Sequence, residues 1–280
     1  MSGFRVWQIS DAHLSRERPF FQANWDAFAA YCRHERPDLV INSGDIALDG
    51  PGRQDDLPFA REQHDRLEVP VRFIPGNHDL GYNPAPGHDA KPPITEDYRT
   101  RYRRLFGDDW WSQDIESWRL IGINAQLLGS GLDAEAAQWG FLETALAAAS
   151  GPLALFVHRP LYDRDPTAVD GPAYRYVIPG PRRRLLAMIG QHDVRVVASG
   201  HVHQHRLLVA EGISHVWAPS SAFILNDRLQ TRLGTKIVGF VDYRFDGTGV
   251  TIALARAPGM VDFDIADFPQ AYSWQPRRGR

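Results

Sequence analysis

LVINSGD at residues 39–45 and VRFIPGNHD at residues 71–79 decide how this chain folds. Each is a short apolar run that stops at a glycine followed by polar side chains able to bind metal or carry protons: Asp45 in the first, Asn77 and His78 in the second. Such runs, bounded by turn residues, read as buried strands. Between them, roughly Leu57 to Leu67, lies a mixed segment of helical character. Upstream, Phe4 to Ile9 is a β-rich run that ends just before Asp11 and His13. Phe21 to His34 reads as a helix, and Pro37-Asp38 resets the chain. Strand, helix, strand, helix, strand with short crossovers predicts parallel pairing. Residues just past the carboxyl ends of parallel strands face one crevice.

Downstream, residues 81–93 (GYNPAPGHDAKPP) are too rich in Pro and Gly for a helix interior and read as a loop. A helix follows at 95–106, then the strand RLIGINA. Leu132 to Ala149 is an Ala-rich helix that Gly151-Pro152 ends. LALFV runs into His158. A helix near 181–190 precedes VRVVASG, which leads into His201 and His203. RLLVA, ISHVWA, KIVGFVDY and GVTIALA read as short, largely antiparallel strands. The expected fold is α/β, a four-layer αββα sandwich of two mixed β-sheets flanked by helices. One domain is expected over residues 1–280, with an excursion at 80–118 that selects the substrate.

The 280 residues are 43% hydrophobic and 23% charged, an ordinary globular balance. Lys and Arg number 31 against 34 Asp and Glu, a net charge of −3, so the chain lacks the basic excess expected of a protein that grips nucleic-acid polymers. Bound cations can still make a small pocket locally positive. The single cysteine, Cys32, excludes an intrachain disulfide and is compatible with a reducing compartment. No apolar stretch approaches the roughly 20 residues needed to span a bilayer. The start, MSGFRVWQISDAH, has none of the features of a secretory signal. These readings lead to the expectation of a cytoplasmic protein without a membrane partner. The later strands or the 80–118 excursion are candidate surfaces for a homo-oligomer.

The polar clusters carry the chemistry. Asp11 and His13 offer an oxygen and an imidazole from one turn, although a capping Asp beside a surface His looks the same. Asp45 could equally be a cap or turn residue. In GNHD, Gly76 permits a tight turn, Asn77 offers a carbonyl oxygen and His78 an imidazole. His158, between an apolar run and Pro160, reads as a ligand or as a buried structural histidine. Gly200 lets its turn approach closely, so that His201 and His203 can reach adjacent ions. Together the clusters ask for two metal ions and hydrolytic phosphorus chemistry. The mixed oxygen and nitrogen donors suit Mn, Fe, Zn or Co better than an all-oxygen magnesium site.

In this order, Asp11-Ala12-His13, Gly44-Asp45, Gly76-Asn77-His78-Asp79, His158 and Gly200-His201-Val202-His203, the chain resembles the calcineurin-like metallophosphoesterase superfamily from residue 4 to about 220. It is similar in particular to the branch of bacterial cyclic-nucleotide and glycerophosphodiester phosphodiesterases. The resemblance implies a first ion held by Asp11, His13, Asp45 and His203, with Asp45 bridging to a second ion held by Asn77, His158 and His201. It implies two divalent or mixed-valence transition-metal ions and no organic cofactor. The implied reaction is hydrolysis of a small phosphodiester, with a 3′,5′-cyclic nucleotide as the leading substrate, by attack of a metal-bridging hydroxide. His78 would stabilise charge at the phosphate and protonate the leaving alkoxide, and Asp79 would orient His78 or serve as a turn or cap. A broad phosphomonoesterase is the enzymatic alternative. A nonenzymatic metal-binding interaction protein is the contrasting class, and the complete ligand set speaks against it.

Selectivity is expected from Tyr82 and His88 at the mouth of the site, with Tyr98, Trp110 and Trp111 near in sequence; each aromatic has core packing as its alternative. Arg159 either contacts a phosphate oxygen or forms an ion pair. Arg99, Arg101, Arg103 and Arg104, and Arg182 to Arg184, are expected on solvated helix faces. His205 is expected in a supporting or structural role, and His34, His64, His192 and His215 belong to no cluster.

Overall fold

The computed structural model describes residues 3–83, 91–167 and 175–271. Its first sheet takes the parallel strands β1 (Phe4–Ile9), β2 (Leu39–Asn42) and β3 (Val71–Phe73), linked by α1 (Gln22–Glu35) and α2 (Asp56–Asp65). A short α3 (Asn77–Leu80) and α4 (Glu96–Phe106) lead to the second sheet. That sheet contains β4 (Trp111–Ile115), β5 (Trp118–Ile123), β6 (Leu153–Val157), β7 (Val194–Ser199), β8 (Arg206–Ala210) and β9 (Ile213–Trp217). Its helices are α5 (Asp133–Ala147) and α6 (Pro179–Ile189). The chain then returns, and the hairpin of β10 (Phe240–Asp246) and β11 (Gly249–Ala255) pairs antiparallel with β1. The sheet orders are β11-β10-β1-β2-β3 and β4-β5-β6-β7-β9-β8. Both sheets are therefore mixed, and the expected architecture holds.

Side-chain alternation sorts the layers. In β1, Val6 faces the second sheet while Trp7 and Ile9 pack under the first-sheet helices. In β6, Ala154 and Phe156 face the first sheet while Leu153, Leu155 and Val157 lie under α5 and α6. This period of two, with both faces buried, produces the near-continuous apolar runs of the sequence. The strands after His203 are largely antiparallel, as expected: β8–β9, β10–β11 and β1–β10 pair antiparallel, while β9 runs parallel to β7.

The segment 80–118 contains a structural strand. β4 forms an edge of the second sheet, and Trp111 lies between the sheets near Phe156, its Nε1 donating to the Phe73 carbonyl at 2.8 Å. Core packing thus accounts for Trp111. Two arginines expected in solvent are buried instead. Arg99 on α4 is paired with Asp109 at 2.9 Å and with Glu96 at 2.7 Å, and Arg182 donates to the Leu161 carbonyl at 3.4 Å. Helix spacing accounts for the Arg99–Glu96 pair but not for Asp109 or Leu161, which arrive from outside the helices that carry these arginines. Among the described residues no helix is long and apolar enough to cross a membrane.

Candidate metal centre

Five parallel strands deliver the candidate donors from their carboxyl ends. Asp11 and His13 follow β1, Asp45 follows β2, Asn77 and His78 follow β3, His158 follows β6, and His201 and His203 follow β7. The first three loops are stitched together by backbone. Asp11 N–H donates to Gly44 O at 2.9 Å, His13 N–H to Asp45 O at 3.0 Å, and Leu14 N–H to Ile46 O at 3.0 Å. Asp11, His13, Asp45, His201 and His203 all have positive φ, between 46° and 67°. Left-handed backbone is strained for such side chains and persists where surrounding contacts hold it. Of nine non-glycine residues in that region among the described ones, five are candidate donors, so the strain is concentrated at this cleft. Gly44, at φ 105°, is required for space as well: a Cβ there would lie 2.5 Å from His158 Nδ1.

The donors converge in overlapping groups. Asp11, His13 and His203 form one; Asp45, His158 and His201 form another; His13, Asp45 and His78 link them, each group having its donor atoms within 4.8 Å of one another. Asp45 thus lies between the two sets. Tautomers follow from the second nitrogen of each ring. His158 Nδ1–H donates to Ser43 O at 2.8 Å, and His203 Nδ1–H to Phe223 O at 3.2 Å. Each leaves Nε2 as a lone-pair donor facing the cleft. His203 Nε2 then lies 3.3 Å from His13 Nε2 and 3.2 Å from Asp11 Oδ1. Acceptors meeting acceptors at such range repel unless a proton or cation sits between them. Asn77 is buried, and its Oδ1 has no hydrogen-bond donor; nor has Asp11 Oδ1. Buried oxygens left without donors are costly, and a metal ion satisfies them. The residues present therefore fit a pair of cations.

Ionisation follows the same crowding. Burial opposes the charge on Asp45, yet His158 and His78 beside it hold its carboxyl well below the usual carboxylate range. Burial likewise opposes protonation of His158, but Asp45 raises it to about 9. Burial, reinforced by His78, keeps His13 well below the ordinary imidazole value. Asp45 and His13 are thus already in the anionic and neutral forms a metal takes up, whereas a metal would have to displace a proton from His158.

His78 has its Nδ1 on the Leu48 carbonyl at 2.7 Å, and its backbone N–H donates to Asp45 Oδ1 at 2.8 Å. Asp79 does not orient that ring. Its carboxylate accepts from Gly76 N–H at 2.8 Å, Ile46 N–H at 3.2 Å and Ala47 N–H at 2.9 Å, tying the loops after β2 and β3. The expectation of Asp79 as orienter gives way to its turn role, because three backbone donors reach its oxygens. The Tyr82 side chain neighbours that of Asn77, and the Arg159 guanidinium carbon lies 6.0 Å from the Tyr82 ring. His88 lies outside the described residues. His205 stands apart, Nδ1–H donating to Trp217 O at 3.1 Å.

Several residues that sequence reading passed over hold the centre. Gln8 is wholly buried between the sheets, donating from Nε2 to Ser43 Oγ at 2.9 Å and Ser199 O at 3.2 Å while accepting from Tyr243 Oη–H at 2.7 Å. It fastens β1, β2 and β7 just before their ligand loops. Ser10 Oγ–H donates to Asp11 Oδ2 at 2.6 Å, and His201 N–H reaches the same oxygen at 2.9 Å. The available signal was a polar Gln at an inward position of an apolar strand.

Comparison with known proteins bears on the family and the fold. The calcineurin-like phosphoesterase family model matches residues 4–205. A zebrafish (Danio rerio) protein named "Serine/threonine-protein phosphatase CPPED1" is 26% identical over 208 residues, covering 69% of this chain and 62% of that protein, so the match spans less than two thirds of that relative. An Arcobacter nitrofigilis protein named "Probable glycerophosphodiester phosphodiesterase GpdQ" is 27% identical over 221 residues, 71% of each chain. The crystal structure of a dimetal phosphatase from Danio rerio superposes with a TM-score of 0.61 at 16% identity, covering 94% of this chain and 98% of that one, and so shares the fold. With 202 of its residues matched by the family model, this chain belongs to the calcineurin-like phosphoesterase family.

Proposed function

We propose that the chain is a binuclear-metal phosphoester hydrolase acting on small substrates, with one catalytic unit drawn from both sheets. The observation that carries this is the convergence of Asp11, His13, Asp45, His158, His201 and His203 in overlapping groups at the carboxyl ends of strands, with the donor-less Asn77 Oδ1 following another strand of the same set. Asp11, His13, Asp45 and His203 would hold one ion; Asn77, His158 and His201 would hold the other, with Asp45 shared. Two bound ions lower the pKa of a water and draw charge off the phosphoryl oxygens. The donor set suits Mn, Fe, Zn or Co.

The protein's own contribution is orientation and proton handling. The Ser43 and Phe223 carbonyls fix which ring nitrogens of His158 and His203 face the cleft. His78, held by Leu48 O through Nδ1, presents Nε2 to stabilise charge on the phosphate and to give a proton to the departing oxygen. Asp79 keeps the loops of Asp45 and His78 in register.

A small phosphodiester, with a 3′,5′-cyclic nucleotide as the concrete case, is the first substrate reading; the name of the Arcobacter relative supports it. Phosphomonoester hydrolysis is the second, favoured by the environment of Arg159. A cytoplasmic location accords with the lone cysteine. Exposed Leu207 and Val209 on edge strand β8 support self-association. The test strips the protein of metal and restores Mn, Zn, Fe or Co separately, then compares bis(p-nitrophenyl) phosphate with p-nitrophenyl phosphate, cAMP, cGMP and glycerophosphodiesters. Metal-dependent turnover of at least one ester class is expected. Equal background rates with and without metal would remove the proposal.

A further inference from the structure

Arg159 is a buried cation without an anion. It is fully inaccessible to solvent, and among the described residues its one hydrogen bond runs from Nη1–H to Asn83 Oδ1 at 2.5 Å. Nε and Nη2 have no acceptor, and no carboxylate pairs with Arg159 among the described residues. Two other buried basic side chains, Arg99 and Lys236, carry anionic partners. Arg99 is paired with Asp109 and Glu96, and Lys236 with Asp227 at 2.9 Å and the Gln230 carbonyl. An uncompensated buried charge costs several kcal/mol, and a fold normally removes it or pairs it. A guanidinium keeps its charge at neutral pH in proteins.

Its place beside the metal centre gives the charge a purpose. Arg159 follows His158 directly. It lies near Asp45, and its guanidinium carbon is 6.0 Å from the ring of Tyr82, whose side chain is a neighbour of Asn77. Asn83, anchored by its amide to Leu128 O at 3.2 Å, turns its oxygen to Nη1 and fixes the guanidinium plane. The edge left over, Nε with Nη2, is the one that meets phosphate or carboxylate oxygens side-on with two N–H bonds.

We propose that Arg159, with Asn83 and Tyr82, forms an anion-recognition point on the Asn77 side of the metal centre that selects doubly charged phosphomonoesters over singly charged diesters. This rests on the hydrolase reading and refines its substrate class. A diester has two nonbridging oxygens and one charge, which two bound cations would suffice to neutralise. A monoester above its second pKa of about 6 has a third nonbridging oxygen and a second charge. The free guanidinium edge takes that oxygen, and the unpaired buried cation gains its counterion.

The experiment measures binding and turnover side by side on metal-loaded protein at pH 8. Calorimetry gives the affinities for inorganic phosphate and for dimethyl phosphate in the wild type, Arg159→Met and Arg159→Lys. Phosphate affinity is expected to fall about 10- to 100-fold in Arg159→Met, the size of a charged hydrogen bond of about 1.5–3 kcal/mol. Dimethyl phosphate affinity should stay within about threefold, since it lacks the dianion that the edge would meet. Arg159→Lys, which keeps the charge without the fork, should fall between, and it also serves if the Met variant fails to fold. The kcat/KM for p-nitrophenyl phosphate should drop in step with phosphate affinity while that for bis(p-nitrophenyl) phosphate holds. Equal losses for phosphate and dimethyl phosphate, or no loss for either, would overturn the proposal. Absence of turnover in the wild type with phosphate binding still lost in the variants would instead sink the hydrolase reading and spare the anion point.

Discussion

The metal centre and the Arg159 side of the same cleft are neighbours built on opposite terms. In the centre, lone pairs outnumber protons: His13, His203 and Asp11 crowd acceptors within about a hydrogen-bond length, and Asn77 Oδ1 has no donor. On the Arg159 side, donors outnumber acceptors: Nε and Nη2 face no oxygen. The first region is short of cations and the second of an anion. A metal phosphoester complex supplies both, which is why the contrast identifies the cleft more firmly than either side alone.

Breaking the centre should have the largest effect. Asp45→Asn keeps the shape of the shared donor but removes its charge, the chief compensation for His158 and for two closely spaced cations. Turnover is expected to fall by at least about 10³-fold, the scale at which a principal charge-stabilising group acts. Bound metal per chain, read by elemental analysis, should fall as well. Unchanged metal-dependent turnover would remove Asp45 from the shared position. His78→Ala comes next. Loss of a proton donor at this site should reduce kcat by about 10²–10⁴-fold while both ions remain bound. Loss of metal from that variant would make His78 a ligand, as its place in a group with His13 and Asp45 allows.

The same contrast explains what the sequence could show. Asp11, His13, Asp45, Asn77, His158, His201 and His203 each follow a strand by one to four residues, so a local pattern repeated five times carried both the fold and the centre. The layer sandwich was legible for the same reason, since the apolar runs mark both-face burial. Asp79 offered two readings, orienter of His78 or turn residue, that sequence could not separate, because Ile46 and Ala47, which donate to it, lie in another loop more than 30 residues away. Arg159 offered two readings that sequence cannot separate: whether a charge has a partner depends on Asn83, 76 residues away. Arg99 and Arg182 failed likewise. Spacing reports the face of an element, whereas ion pairing is settled by what packs against it.

Gln8 sharpens the comparison, because it stabilises the centre without touching the proposed ligands. Gln8→Met conserves much of the volume but removes the bonds to Ser43, Ser199 and Tyr243 that fasten the two sheets. Groups that orient ligands typically change metal affinity or activity by about 10–100-fold. That range is expected for metal retention against a chelator, with the far-ultraviolet circular dichroism unchanged. Loss of thermal stability with metal affinity intact would reduce Gln8 to an ordinary core polar residue.

The smallest effect is a pH dependence that begins one step further from the ions. His64 is buried under α2, with Nδ1–H donating to Ala60 O at 2.7 Å and Nε2 accepting from Asn42 Nδ2 at 2.9 Å. Asn42 Oδ1 in turn accepts from Gly44 N–H at 3.1 Å, at the root of the Asp45 loop. A protonated His64 would set a donor against the Asn42 amide. Burial accordingly lowers its pKa to about 4 from the ordinary 6.5. The unfolded chain therefore binds this proton first as pH falls. The associated stability is complete above pH 6.5 and drains away as pH drops towards 4, by about 3 kcal/mol at most for a shift of this size. Denaturant melts of metal-stripped protein from pH 7.5 to 4 should show this loss, and His64→Gln, which cannot titrate, should flatten that part of the profile. An identical pH slope in the variant would place the acid sensitivity elsewhere and leave the Asp45 loop independent of the charge state beneath it.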